Sequence, residues 1–214
     1  MKIVCLFSGG MDSTTLLYSL LHSNHKVHAL SVLYGQRHSK EVEAARAISA
    51  QLVVPHKVLD LDAVLSVFSG SSLTGYGEIP HGHYADATMK STVVPNRNMV
   101  LISLATAFAI SVGAETVAYG AHSGDHTIYP DCRPSFISAL GAAMQLCHFH
   151  PLQLLVPFMQ LSKAQIASLG KTLGVPFAST WTCYEGGKLH CGKCGACVER
   201  REALGDADPT QYQS

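Results

Sequence analysis

The feature that most constrains this chain is a glycine-containing turn at residues 8–13, with the sequence Ser-Gly-Gly-Met-Asp-Ser. An apolar run at residues 3–7 precedes the turn and is short enough for a buried strand. The apolar positions of residues 14–21, which follow it, can cover one side of a helix. A strand, a glycine turn and a helix are therefore predicted, and this is a typical opening unit of an α/β fold.

Such a turn is suited to binding a phosphate group. The first backbone N–H groups of a helix have no intrahelical partners, and the helix dipole is positive at that end. Glycines let the backbone approach a ligand closely, and hydroxyl side chains add hydrogen-bond donors. For an isolated pair of glycines, a tight turn without a ligand would be the commoner explanation. The candidate phosphate-binding residues are Phe7, Ser8, Gly9, Gly10, Met11, Asp12, Ser13 and Thr14.

Asp12 is the unusual member of this set, because an anion repels a phosphate unless a cation lies between them. A hard cation held by one carboxylate and by phosphate oxygens is a common arrangement, so magnesium is implied at Asp12. The segment lacks the lysine of a Walker A loop. It resembles instead the SGGxDS signature of the pyrophosphatase-loop (PP-loop) ATP enzymes. That resemblance implies adenylation of a substrate, with AMP and pyrophosphate as the products of ATP.

The chain continues as alternating strand and helix patterns. Strands are predicted at residues 26–34, 56–61, 116–121 and 152–158. Helices are predicted at residues 39–52, 135–146 and 162–173, and a further apolar helix starts within residues 94–98 and continues through the uncharged run to residue 114. This order predicts a doubly wound, mostly parallel sheet. Ser162 and Gln165 have the spacing of a capping box. Residues 66–95 show no period and are expected to form a functional loop or lid.

Length and charge limit the domain organisation and the partners. A chain of 214 residues is expected to form one main domain with a small appended module, here an ATP-binding domain at residues 1–178 and a zinc-binding segment at residues 179–214. The 15 basic residues balance the 15 acidic ones, which favours a small-molecule substrate over a nucleic acid. No signal peptide or membrane span is predicted, so we expect a cytoplasmic protein without membrane contact.

Three cations occupy positions that suggest anion binding. Arg37 follows the second predicted strand, at the edge where open α/β sheets bind ligands. Arg97 and Lys163 stand in the first turns of predicted helices, where the dipole disfavours a cation unless it meets a phosphate or a carboxylate. A solvated turn at Arg37, a surface ion pair at Arg97 and a solvent-facing Lys163 are the alternatives.

A polar loop after the fourth predicted strand carries two further candidates. Asp131 can accept paired hydrogen bonds from an amidine-like edge such as that of guanine. Arg133 can bind a carboxylate in a bidentate fork. The two residues could equally pair with each other at the start of a helix.

Four of the seven cysteines form a C-terminal cluster at Cys183, Cys191, Cys194 and Cys197. Thiolates separated by two intervening residues, with a glycine in each gap, are typical of tetrahedral zinc sites. Four sulfurs would close the coordination shell, which predicts a structural zinc. The alternatives are a zinc site in which His190 replaces one cysteine, an iron–sulfur cluster and a redox CxxC motif.

Five landmarks resemble the 7-cyano-7-deazaguanine synthases, a PP-loop family, over nearly the whole chain. They are SGGMDS from Ser8, YGQRH from Tyr34, VPNRN from Val94, YPDCR from Tyr129 and the cysteine cluster. Residues 120–126 and the short C-terminal tail depart from the family pattern.

The resemblance implies an ATP-dependent carbon–nitrogen ligase that makes the 7-cyano compound from 7-carboxy-7-deazaguanine and ammonia, for queuosine-type deazapurine biosynthesis. It implies ATP, Mg²⁺ and Zn²⁺ as cofactors, a homodimer, and an adenine nucleotide α-hydrolase-like fold. The implied catalytic residues are Asp12, Lys163 and Arg97, and the implied substrate contacts are Arg37, Asp131 and Arg133. A PP-loop enzyme that adenylates or thiolates a tRNA base is the main alternative, and a non-enzymatic zinc-ribbon module is the other.

Overall fold

The structure, a computed structural model, describes residues 1–61, 63, 70–74, 77–83 and 87–213. Within these residues, five strands form one sheet, in which all neighbours are parallel and the order is β3-β2-β1-β4-β5. The strands are β1 Lys2–Leu6, β2 Lys26–Leu33, β3 His56–Asp60, β4 Thr116–Ala118 and β5 Gln153–Leu155. The predicted α/β class with a parallel sheet is confirmed.

Helices cover both faces of the sheet. They are α1 Met11–His22, α2 Lys40–Gln51, α3 Arg97–Val112, α4 Pro134–Leu146, α5 Lys163–Thr172 and α6 Gly195–Leu204. Alternate side chains of β1 point to opposite faces. Ile3 and Cys5 belong to the core that contains residues of α1, α2 and α5, whereas Val4 and Leu6 belong to the core with α3 and α4. Burial on both faces explains why the strands read as continuous apolar runs.

The strand order reverses at β1. The chain runs outward from β1 to β2 and β3 on one side, and then returns to add β4 and β5 on the other. Ligands of open α/β sheets bind outside the carboxyl ends of the strands at such a point. The glycine turn follows β1 directly, so the topology places it at the expected ligand site.

Several boundaries differ from those predicted. Helix α1 begins at Met11, so Asp12 lies inside its first turn rather than in the loop. The predicted strand 152–158 ends at Leu155, because the chain turns at Val156 and Pro157 has no N–H to donate. Of the predicted irregular region 66–95, the described part includes a 3₁₀ helix at Ala87–Thr92. Residues 66–69, 75, 76 and 84–86 lie outside the described residues.

The segment Met89–Val112 is long and apolar enough to cross a membrane by length and composition. Helix α3 forms most of it and packs on the sheet, with Ile102, Ala105 and Ala109 fully buried. The segment therefore supplies one of the two main cores, as the prediction of a buried helix requires.

The C-terminal segment packs on the α/β domain. Arg200 of α6 is fully buried and donates to the carbonyl of Phe177 at 2.6 Å and to the hydroxyl of Thr180 at 2.8 Å. Helix α6 itself was not predicted from the sequence. The domain boundary at residue 178 stays a prediction.

Candidate active site and metal centre

The glycine turn packs tightly between helix α2 and the C-terminal segment. Gly9 has a φ angle of 88°, in the region that favours glycine. A methyl group at this position would overlap the carbonyl of Glu41 and lie 2.6 Å from the backbone nitrogen of Ala45. On the other side, the N–H of Trp181 donates to the carbonyl of Gly9 at 3.0 Å. The turn is therefore fixed from two sides, and only glycine fits at position 9.

Helix α1 begins at this turn without a side-chain cap. Its N-cap residue is Gly10, and within the described residues the N–H groups of residues 11–13 donate to no acceptor. The hydroxyls of Ser8 and Ser13 lie 3.0 Å apart beside these groups. The Thr14 hydroxyl is engaged elsewhere, because it donates to the carbonyl of Gly10 at 2.7 Å. The free N–H groups and the two serine hydroxyls form a potential anion site.

Asp12 pairs across the site with Lys163, the first residue of α5. The Lys163 Nζ lies 2.5 Å from Asp12 Oδ2. Burial raises the pKa of Asp12, but the charge of Lys163 and the imidazole of His122 outweigh it and hold that pKa below its usual range. The other oxygen, Oδ1, is buried and has no hydrogen-bond partner within the described residues. An ionised carboxylate with one unsatisfied buried oxygen is suited to hold a cation.

Two more side chains surround this pair. Oε2 of Glu199, on α6, lies 3.1 Å from the Lys163 Nζ. Nε2 of the buried His122 lies 3.4 Å from the same Nζ and 4.0 Å from Asp12 Oδ2. Its Nδ1 accepts from the N–H of Gly124 at 3.1 Å. The Lys163 ammonium is thus held between two carboxylates.

The N-terminus of α5 contrasts with that of α1. The predicted capping box is confirmed: Ser162 Oγ accepts from the N–H of Gln165 at 3.3 Å, and Gln165 Oε1 accepts from the N–H of Ser162 at 2.8 Å. Because the cap satisfies these backbone donors, α5 contributes the side chain of Lys163 to the site rather than its N–H groups.

Arg97 and Arg37 line the same cavity. The Arg97 guanidinium donates to the hydroxyl of Tyr34 at 3.4 Å, and it lies 5.7 Å and 5.9 Å from the ring centres of Tyr34 and Tyr129. It forms no ion pair with a described residue, so the alternative of a surface ion pair is not observed. The Arg37 side chain donates to the carbonyl of Gly77.

Asp131 and Arg133 lie outside the lining of this cavity. Asp131 Oδ2 accepts from the N–H of Asn98 at 3.0 Å and thereby caps helix α3. Arg133 is exposed, and its Nε donates to the carbonyl of His126 at 3.1 Å. The two side chains do not form an ion pair with each other. Their substrate contacts stay predictions, because the observed contacts are with the protein itself.

The four C-terminal cysteines converge as predicted. The sulfurs of Cys183, Cys191, Cys194 and Cys197 lie within 4.8 Å of one another, and all four residues are buried. The backbone N–H groups of Cys191, Lys193 and Cys194 donate to cluster sulfurs at 3.3–3.4 Å. Hydrogen bonds from the Cys194 and Cys197 thiols lower the pKa of Cys183, which favours its thiolate. This donor set fits a tetrahedral metal ion.

His190 is not part of the sulfur cluster. Its Nε2 accepts from the N–H of Thr182 at 3.2 Å, and its ring packs on Trp181 with 4.3 Å between centres. Burial lowers the pKa of His190 to about 4, so the ring is neutral. The alternative in which His190 replaces one cysteine as a metal ligand is therefore not observed.

Comparison with known proteins identifies the family. The family model described as Queuosine biosynthesis protein QueC matches residues 2–208. A 7-cyano-7-deazaguanine synthase from Marinomonas sp. (strain MWYL1) is 50% identical over 216 residues, which cover 100% of this chain and 99% of the relative. The one from Methanoregula boonei is 52% identical over 217 residues, with 100% of both chains covered. The chain belongs to the 7-cyano-7-deazaguanine synthase family.

Solved structures outside this synthase family share its fold. A U34-tRNA thiolase from Methanococcus maripaludis has a TM-score of 0.51 at 16% identity, over 82% of this chain and 58% of its own. An NH3-dependent NAD synthetase from Campylobacter jejuni has a TM-score of 0.50 at 18% identity, over 82% and 65%. At these identities the likeness concerns the fold alone. Membership in the synthase family supports an ATP-dependent enzyme of the ligase type.

Sequence reasoning missed several ionisable residues at the site of this synthase-family chain, among them Glu41 and Glu199, which line the cavity, and His122, which lies beside Lys163. Glu41 lies four residues after Arg37, within the helix that follows a recognised motif. Glu199 lies on α6, whose spacing of buried residues at Ala196, Arg200 and Leu204 is a helical signal. His122 gives no such signal, because it lies in the segment that departs from the family pattern.

Proposed function

We propose that this protein converts 7-carboxy-7-deazaguanine, ammonia and ATP to 7-cyano-7-deazaguanine, with AMP and pyrophosphate as the nucleotide products. The name of its relatives supports the product. The observation that carries the proposal is the uncapped N-terminus of α1 beside Asp12, whose Oδ1 has no partner among the described residues. Free N–H donors and a cation ligand at one point are suited to a nucleotide phosphate.

The reaction needs two activations of the same carbon. A carboxylate is a poor electrophile, so transfer of AMP to one of its oxygens creates a C–O bond that breaks readily. Ammonia displaces this AMP and gives the amide. We propose that the same site then transfers a second AMP to the amide oxygen, and that loss of this AMP leaves the nitrile.

Catalysis is proposed to rest on positioning and on charge stabilisation. The N–H groups of residues 11–13 and the hydroxyls of Ser8 and Ser13 would hold the phosphates, with Gly9 and Gly10 shaping the turn. The Lys163 ammonium, held beside Asp12, would neutralise the departing pyrophosphate. Arg97, which has no ion-pair partner among the described residues, would bind pyrophosphate or the substrate carboxylate.

Other members of the predicted phosphate-binding set act through the backbone. The side chains of Phe7 and Met11 are buried in the cores, and Thr14 bonds within its own helix. We propose that these residues fix the turn rather than touch the nucleotide. Arg37 is proposed to contact the substrate from the cavity wall, whereas Asp131 and Arg133 would have to leave their observed contacts to do so.

Magnesium fits at Asp12, whose ionised carboxylate has one unsatisfied buried oxygen. When bound, this ion neutralises phosphate charge during transfer of AMP. Zinc fits the four cysteines, whose closed set of sulfurs leaves no position for a reacting water and therefore indicates a structural role. We further propose a cytoplasmic homodimer without direct contact to nucleic acid or membrane.

The test incubates the purified protein with magnesium-ATP, ammonium and the 7-carboxy compound. Mass spectrometry is expected to detect a product that has lost both carboxyl oxygens, together with AMP and pyrophosphate. ADP and phosphate as the sole nucleotide products would contradict adenylation. Pyrophosphate release that depends on tRNA instead of the deazaguanine acid would support the tRNA-modifying alternative, which the balanced charge of the chain does not favour.

A further inference from the structure

Four carboxylates of described residues line the cavity, and three of them already have partners. Asp12 and Glu199 both contact Lys163, at 2.5 Å and 3.1 Å. Asp125 accepts from the backbone N–H of His122 at 3.0 Å. Glu41 forms no hydrogen bond or ion pair with the described residues. Its carboxylate is therefore the one in this set with neither oxygen engaged by a described residue, whereas Asp12 has only Oδ1 free.

Glu41 is also held close to the reacting centre. It lies in the first turn of α2, and its own carbonyl packs against Gly9 of the phosphate-binding turn. Arg97 and Asp12 are near enough to act on its charge. Burial raises the pKa of Glu41 to about 7, with Asp12 acting in the same direction and Arg97 in the opposite one. A group with this pKa exchanges a proton readily near neutral pH.

Other titratable groups line the same cavity, on every element that surrounds it. Besides Asp12 and Arg97, they include Tyr34 and His38 after β2, and Tyr184 and Glu199 in the C-terminal segment. Burial raises the pKa of both tyrosines and lowers that of His38. Any pH dependence assigned to Glu41 must therefore be compared with that of a variant lacking only this carboxyl.

The proposed chemistry removes three protons from one nitrogen. In amide formation, the ammonia lone pair forms the C–N bond, the C–O bond breaks with its electrons leaving on AMP, and one N–H proton is lost. In nitrile formation, the amide oxygen takes AMP from ATP and expels pyrophosphate. Two N–H protons are then lost, their electron pairs complete the C≡N bond, and the second C–O bond breaks to release AMP.

We propose that Glu41 is the general base that accepts these protons from the substrate nitrogen. The inference rests on the proposed function, because it concerns the steps that follow adenylation. Its support is the position of a carboxylate that has no partner among the described residues, on the helix that packs against the phosphate-binding turn. Each proton accepted by Glu41 would pass to solvent before the next one is removed.

The test compares Glu41→Gln with the unmodified enzyme in two assays. Exchange of labelled pyrophosphate into ATP, driven by the 7-carboxy compound without ammonium, reports adenylation alone. Conversion of the synthetic 7-carboxamide to the nitrile reports proton removal without the titration of free ammonium. Glu43→Gln is the matched control, because Glu43 lies exposed on the same helix and glutamine keeps the oxygen that accepts from Ser39.

Glu41→Gln should keep pyrophosphate exchange within about threefold, and should lower nitrile formation from the amide by about 10²- to 10⁴-fold, the usual contribution of a general base. The unmodified enzyme and Glu43→Gln should show a rate that rises with pH through about 7, and Glu41→Gln should lose this rise. Equal loss of both activities would overturn the inference and indicate a binding role for Glu41. A full rate of nitrile formation in Glu41→Gln would also overturn it. If the unmodified enzyme shows no exchange, the proposed function itself is wrong, and the inference falls with it.

Discussion

The cysteine cluster and the glycine turn are built in opposite ways. In the cluster, four buried sulfurs lie within 4.8 Å of one another and accept hydrogen bonds from backbone N–H groups. A metal ion bound there would have four sulfur ligands and a closed coordination shell. The glycine turn leaves the N–H groups of residues 11–13 and the Oδ1 of Asp12 without partners among the described residues. A metal ion with a closed coordination shell stabilises the fold, whereas hydrogen-bonding groups without protein partners can bind a ligand that is later released. The contrast supports the proposal that the cluster is a structural site and the turn a catalytic one.

The largest effect is expected from breaking the closed site. Cys194→Ser removes one of the four sulfurs, and bound zinc contributes on the order of 10 kcal/mol to local folding. We expect loss of zinc, measured by elemental analysis, and a large fall in the melting temperature. Cys147→Ser is the control, because Cys147 is exposed and outside the cluster. Full zinc content in Cys194→Ser would mean that the cluster does not hold the metal.

Asp12→Asn tests the open site. The substitution keeps the shape of the side chain but removes the charge that would hold magnesium, so pyrophosphate exchange should fall by about 10³-fold. Zinc content should not change, since the four cysteines are untouched. Joint loss of exchange and zinc would show that the two sites are not separable.

Gly9→Ala tests whether the turn is held by packing. The added methyl group meets the Glu41 carbonyl and the Ala45 nitrogen, so we expect a loss of about 2 to 4 kcal/mol in the free energy of unfolding. Gly113→Ala is the matched control, because Gly113 also has a positive φ, 66°, but a methyl group there meets nothing within 4 Å. It should cost only about 1 kcal/mol. Equal costs in urea unfolding would mean that backbone strain alone fixes the turn.

The smallest expected effect is on the pH dependence of the stability of the ligand-free protein. Because the pKa of Glu41 rises from 4.5 to about 7 on folding, the folded protein binds this proton more tightly than the unfolded chain does. The free energy of unfolding should therefore fall, by about 1 to 3 kcal/mol, as pH rises from 4.5 to above 7. Glu41→Gln should lack this fall and should be more stable than the unmodified protein at pH 8. An unchanged pH dependence in Glu41→Gln would show that Glu41 is not held in an unfavourable charged state.

Sequence patterns predicted the elements whose signals are local. The run of residues 26–34 gave β2 within one residue, and the capping box at Ser162 placed the start of α5. The cluster of four cysteines was predicted completely, because zinc imposes a fixed set of residue types at short spacing.

Contacts between segments that are distant in the chain could not be predicted from local sequence patterns. Asp131 was predicted at the ligand site because it follows β4, but the 12 residues between Ala118 and Asp131 carry it to the N-terminal end of α3. Glu199 approaches Lys163 only because α6 packs against α5, and no local pattern encodes that distance. In the sequence, Glu41 looks like an ordinary exposed glutamate of a helix, because its raised pKa comes from the burial and the charges that the fold places around it.

The most direct test of the central claim follows the substrate oxygens. The 7-carboxy compound, labelled with ¹⁸O at both carboxyl positions, is converted with magnesium-ATP and ammonium, and the nucleotide products are analysed by mass spectrometry. Two successive adenylations at the glycine turn predict two AMP per nitrile, each with one ¹⁸O, and no label in pyrophosphate. Label in inorganic phosphate, or one AMP per nitrile, would contradict the account.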